Sequence, residues 1–82
     1  PVRYARALLA HRHHRTAQIL ECLGDGPATI PELVARMYTD TPKMLHPAAE
    51  RSVLAHLIHL CEQRRASSEP APDERATRYA LA

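Results

Sequence analysis

Pro31 and Pro47 constrain this chain more than any other residues. Proline lacks an N–H and its ring clashes with the preceding turn, so a helix accepts it only in its first turn. Thr29-Ile30-Pro31-Glu32 adds a Thr cap and a Glu three residues later, which together form a capping box. The helix it opens runs through Leu33, Val34, Met37 and Tyr38 until Thr39-Asp40-Thr41-Pro42 breaks it. Pro47 opens another helix at its first position. Ala49, Val53, Leu54, Leu57, Ile58, Leu60 and Cys61 form one wide apolar face there. Glu62-Gln63-Arg64-Arg65 closes it, with Arg suited to the negative end of the helix dipole.

Upstream, residues 3–23 read as one long helix. Ala5, Leu8, Leu9, Thr16, Ile19, Leu20 and Leu23 recur mostly at spacings of three and four. Its middle, His11-Arg12-His13-His14-Arg15, is wholly polar, so the helix should pack as two different surfaces. Gly24-Asp25-Gly26-Pro27 ends it. Downstream, a loop rich in Pro and acids (residues 70–75) separates two short segments. In the second, Thr77, Tyr79 and Leu81 alternate with Arg78 and Ala80, the period of a strand. The tail therefore reads as a β-hairpin with a long tip, and Ala28-Thr29 can supply a minimal third strand. Three helices followed by a hairpin is the order of a winged helix, mostly α with a small β-hairpin.

The 82 residues make one small domain. Residues 1–10 are the linker and start of the long helix, and 66–82 are the wing. A chain this size has a stability of about 4–12 kcal/mol, and little room for a substrate pocket beside its core. Aromatic residues are 4% of the chain, namely Tyr4, Tyr38 and Tyr79. The core must be aliphatic, and Ile19, Leu20, Leu33, Val53, Leu54, Leu57 and Leu60 are its expected members. A net charge of +2 is too weak to argue for a nucleic-acid partner. Cys22 and Cys61 are too few for a disulfide scaffold or a zinc site, and they read as free thiols on apolar helix faces. No apolar run is long enough to span a bilayer and no signal peptide is visible, so a cytoplasmic, membrane-free protein is expected. The chain starts with Pro rather than Met, which suggests the C-terminal piece of something longer.

The residues also carry a family resemblance. His11-Arg12, Arg15, Gln18-Ile19-Leu20, Leu23, Gly26-Pro27, Thr29-Ile30, Glu32-Leu33-Val34, Tyr38 and Pro42 contribute to it. Leu45-His46-Pro47-Ala48-Ala49 with Ser52-Val53-Leu54-Ala55-His56-Leu57 is its most specific stretch. Together they resemble the C-terminal winged-helix domain of metallo-β-lactamase-fold hydrolases, the β-lactamase-like protein 2 group, over about residues 8–65. The resemblance implies an αββα hydrolase domain upstream, holding one or two zinc ions, as partner in cis. The wing departs from the pattern. Arg65 stands where the family has Gly after the third helix, and Tyr79 where it has Trp.

No residue set here forms a complete active site, so no catalytic and no metal-ligating residue is assigned, and no cofactor is expected in this chain. The hydrolase family's motif is His-x-His-x-Asp-His, whereas the His11–His14 cluster has no Asp, and His13 and His14 point about 100° apart on a helix. His11, Arg12, Arg15 and His46 are instead the candidates for interdomain or substrate-approach contacts. His46 also fits the cap position of the third helix, with Ala48 and Ala49 allowing close helix approach. His56 should be partly buried and His59 exposed. The third helix sits where a DNA-binding winged helix carries its reader, so a free-standing DNA-binding regulator is the alternative function. Its early turns offer Ala48, Ala49, Glu50 and Arg51, a poor set of base-reading donors, and the wing tip brings Asp73 and Glu74. Sequence-specific DNA reading is not expected. Weak nonspecific contact with nucleic acid is open to Arg3, Arg6, Arg12, Arg15, Arg64 and Arg65.

Overall fold

The structure, a computed structural model, describes the backbone of residues 2–82 and the side chains of residues 12–82. Helix α1 spans Val2–Gly24, α2 Ile30–Met37 and α3 His46–Glu62. Strands β1 (Ala28–Thr29), β2 (Ala66–Glu69) and β3 (Arg78–Leu81) form one antiparallel sheet in the order β1-β3-β2. Tyr79 faces Ala28 on one side and Ser68 on the other. The chain thus folds as a winged helix, with β2 and β3 as the wing.

The helix boundaries follow from local chemistry. The backbone turns out of α1 through Gly26, whose φ of 134° is open to glycine. Arg36 of α2 donates Nη1 to the Cys22 carbonyl at 3.3 Å and pairs with Asp25 at 2.6 Å. A cation thereby meets the negative end of α1. At the start of α2 both halves of the capping box form. Thr29 Oγ1 accepts from Glu32 N–H at 3.3 Å, and Glu32 Oε1 accepts from Thr29 N–H at 3.0 Å. These bonds to the ionised form hold the Glu32 carboxyl below its ordinary value.

The entry to α3 differs from expectation. A 3₁₀ turn at Lys43–Leu45 leads into it, Leu45 takes the cap position without a side-chain bond, and Pro47 falls second in the helix rather than first. His46 is the first helical residue, so it does not cap. The exit from α3 is a Schellman turn. Arg65 N–H donates to the Leu60 carbonyl at 2.9 Å and Arg64 N–H to that of Cys61 at 3.0 Å. Arg64 is left-handed, with φ 59°. The position demanding glycine is therefore Arg64, one residue before the Arg65 that the family pattern suggests.

Ile19, Leu33, Val34, Val53, Leu57 and Leu60 are fully buried at the centre, between the three helices and the sheet. Ala28, Ala66 and Tyr79 close the core from the sheet side. Leu20 and Leu54, expected inside, are only partly buried and pack against the edge. Ile58 leaves the apolar face of α3 at 49% exposure, because it lies about 100° round the helix from Leu57. The alternation holds for buried Thr77, just before β3, and for Tyr79 but fails at exposed Leu81, where the strand outruns the core. The Thr77 hydroxyl accepts from Ala71 N–H at 3.3 Å, which ties the two ends of the wing tip together.

Candidate functional site

Helix α3 shows two chemically different stripes to the surface. Residues 47, 50, 51 and 54 recur at helical spacing and face the wing. Residues 52, 55, 56 and 59 recur the same way and face α1.

The wing-side stripe borders an open cleft of about 440 Å³ lined by Ile30, Pro47, Glu50, Leu54 and Arg75, among others. Glu50 does not project freely. Arg75 donates Nε to Oε1 at 3.0 Å and Nη2 to Oε2 at 3.2 Å, a two-pronged pair joining α3 to the wing. Asp73 accepts from Arg75 N–H at 3.0 Å and starts a short 3₁₀ turn that presents Arg75. Sequence reading missed this pair, since the partners lie 25 residues apart and no local pattern links them.

The α1-side stripe meets Arg12, His13 and Thr16 across a groove of about 470 Å³, with Ser52, His56 and His59 on the far wall. Thr16 Oγ1 and His56 Nδ1 approach to 3.4 Å. Gln63 holds His59 Nε2 at 3.1 Å. His56 is pushed below its ordinary pKa by burial, then by the charges of Arg12, Arg15 and His59. The imidazole spacing was visible in the sequence, but not the packing of α1 along α3 that joins it to Arg12 and Thr16.

The four expected contact residues do not gather in one place. The side chain of His11 lies outside the described residues. Arg12 is exposed and lines the groove. Arg15 is committed within the chain: its guanidinium stacks on the Tyr38 ring at 4.3 Å and donates to Gln18 at 2.9 Å. His46 stands at the start of α3 beside Met44, 83% exposed, and Leu45, 51% exposed. Its Nε2 is buried and has no partner among the described residues. Of the alanines expected to allow close approach, Ala49 is buried while Ala48 faces outward. Cys22 is buried and Cys61 half-buried, both as free thiols. Among the described residues no three His, Cys, Asp or Glu side chains converge as a metal-binding group. No described helix is long and apolar enough to cross a membrane.

Comparison with known proteins adds two findings. A 37-residue segment is 51% identical to "Bifunctional protein GlmU" of Mycolicibacterium paratuberculosis (strain ATCC BAA-968 / K-10), covering 45% of this chain and 6% of that protein. The chain thus spans a small fraction of that relative's length. A protein-family model described as "Beta-lactamase associated winged helix domain" matches residues 29–75. That match runs from the capping box of α2 through α3 to the wing-tip Arg75. On fold and sequence together, the chain belongs to the beta-lactamase associated winged helix domain family.

Proposed function

We propose that this chain is the accessory C-terminal winged-helix domain of a zinc-dependent metallo-β-lactamase-fold hydrolase. It packs on the catalytic domain in cis and shapes the approach of substrate. The family match over residues 29–75 carries the reading. In it residues 1–82 act as one non-catalytic domain, and the zinc belongs to the hydrolase domain. The corner formed by exposed Met44 and Leu45 beside His46 offers apolar area for interdomain contact. His11 and Arg12 on α1 are the further contact residues. Free thiols suit a reducing compartment, and we place the protein in the cytoplasm.

The test is the coding sequence upstream of Pro1. A His-x-His-x-Asp-His hydrolase domain in frame supports the reading, whereas a start codon directly before Pro1 overturns it and promotes a DNA-binding regulator. A selection from random duplex DNA at about 150 mM salt gives an independent answer. No enriched motif is expected, because α3 begins with Pro47, Ala48 and Ala49, and both carboxylate oxygens of Glu50 are held by Arg75. One enriched motif bound below micromolar would refute the accessory role.

A further inference from the structure

The groove between α1 and α3 has a chemistry of which the accessory role uses only Arg12. Among the described residues every ionisable side chain lining it is basic: Arg12 and His13 from α1, His56 and His59 from α3. Two hydroxyls, Thr16 and Ser52, stand among them, and no described carboxylate lines the groove. An ordinary solvated helix face mixes both signs of charge. Here one fixed cation, Arg12, and three imidazoles face one another across a concave space. Arg15 adds its positive charge from behind.

We propose that this groove binds a tetrahedral oxyanion of the sulfate or phosphate class, free or as the terminal phosphoryl group of a small molecule. Arg12 supplies a fixed positive charge and a planar fork of donors. His13, His56 and His59 add ring N–H donors. The Thr16 and Ser52 hydroxyls each give one donor. Three-dimensional donor placement of this kind suits oxygens pointing in several directions better than a planar carboxylate. The inference is independent of any upstream domain, since both walls belong to this chain.

The experiment is a titration of the 82-residue chain with sodium sulfate, chloride replacing it at constant ionic strength, followed by NMR. Sulfate stays doubly charged from pH 8 to 6, so any pH effect reports on the protein. One saturable site is expected, with shifts confined to residues 12–16 and 52–59. Binding should persist at pH 8, because Arg12 supplies the charge while burial and the neighbouring cations Arg12 and Arg15 hold His56 below its ordinary pKa, so that its ring acts as a neutral N–H donor. Combined Arg12→Ala and His13→Ala should weaken binding about tenfold, the effect of losing one or two charge-assisted hydrogen bonds. Both residues are exposed, and unchanged thermal melting verifies that the fold is intact. Should that variant melt early, Ser52→Ala, also exposed, replaces it with a smaller expected loss. Arg51→Ala, on the wing-side stripe of α3, should leave binding unchanged. Glycerol phosphate binding more tightly than inorganic phosphate assigns a phosphoryl group; equal binding assigns the free ion. Non-saturating shifts, shifts spread over Arg64, Arg65 and Arg78, or equal weakening by Arg51→Ala would each overturn the proposal.

Discussion

Arg64 holds a backbone conformation that its side chain opposes. At φ 59° it is left-handed, and there Cβ crowds the following carbonyl, which costs an L-residue about 1–2 kcal/mol. The surrounding bonds enforce this geometry. The Arg65 and Arg64 amides close onto Leu60 and Cys61, while Ala66 immediately afterwards must enter the sheet opposite Leu81. Arg64→Gly removes the crowding but gives the unfolded chain more freedom, which offsets about 0.4–1 kcal/mol. The net gain is about 0.5–1 kcal/mol.

The guanidinium complicates the comparison, because a cation at the end of α3 is itself favourable. Arg64→Ala resolves this: it removes the same charge yet keeps Cβ. The informative quantity is therefore Gly minus Ala. For a domain of this size 1 kcal/mol moves Tm by about 4–8 °C, so Arg64→Gly should melt roughly 3–6 °C above Arg64→Ala. Thermal melts by far-UV circular dichroism, checked by urea titration, measure it. A Gly variant no more stable than the Ala variant would refute the left-handed assignment and the turn built on it.

Two further stability predictions rest on the core and on the α2 cap. Leu57 is 0% exposed, and Leu57→Ala should cost about 2–5 kcal/mol, a large part of the total; a loss below about 1 kcal/mol in urea would mean that α3 buries a different face. Thr29→Ala should cost about 0.5–2 kcal/mol as a lost cap, and Glu32 should make the cap sensitive to acid. Its folded pKa is depressed, so its contribution is present above the ordinary carboxyl value of 4.5 and is lost as pH falls through the folded value. Glu32→Gln keeps the box and should flatten stability between pH 5 and 3 relative to the parent, and parallel pH curves would count against it.

The outline of the fold is legible in the sequence wherever a local rule acts alone. The Thr29–Glu32 box and the Gly24–Pro27 break fix their ends by short-range bonds, and both stand in the structure. Even the two-residue strand Ala28–Thr29 is readable, because it fills the space between a helix stop and a helix start. Legibility fails where packing decides. Leu20 and Leu54 sit on good apolar spacings yet only border the core, since the volume between the helices is already filled by Ile19, Val53 and Leu57. His46 looks like a cap residue, but the 3₁₀ turn at Lys43–Leu45 shifts the helix start by one position. At the candidate site, the groove needs α1 and α3 side by side, and the Glu50–Arg75 pair needs the wing folded back on α3. Neither relation has a periodic signature.

These long-range relations also decide which part of a winged helix is available for recognition. Helix α3 has an inward stripe, Ala49, Val53, Leu57 and Leu60, that is consumed by the core. Its wing-side stripe is where a base-reading helix would present donors. Here that stripe holds Pro47, which has no N–H, then Glu50, whose acceptors are taken by Arg75, then the apolar Leu54. Arg51 is the one basic group left on it, and one donor does not specify a site of several bases. The stripe facing α1 has the opposite character, with His56 and His59 opposed by Arg12 and His13. Moving a third of a turn around one helix thus changes the surface from a neutralised, partly apolar cleft to a basic groove. The architecture is the same as in a nucleic-acid reader, but the side chains place Arg12 and three imidazoles on the side away from the wing. The fold supplies the stripes, and the residues on them supply the chemistry.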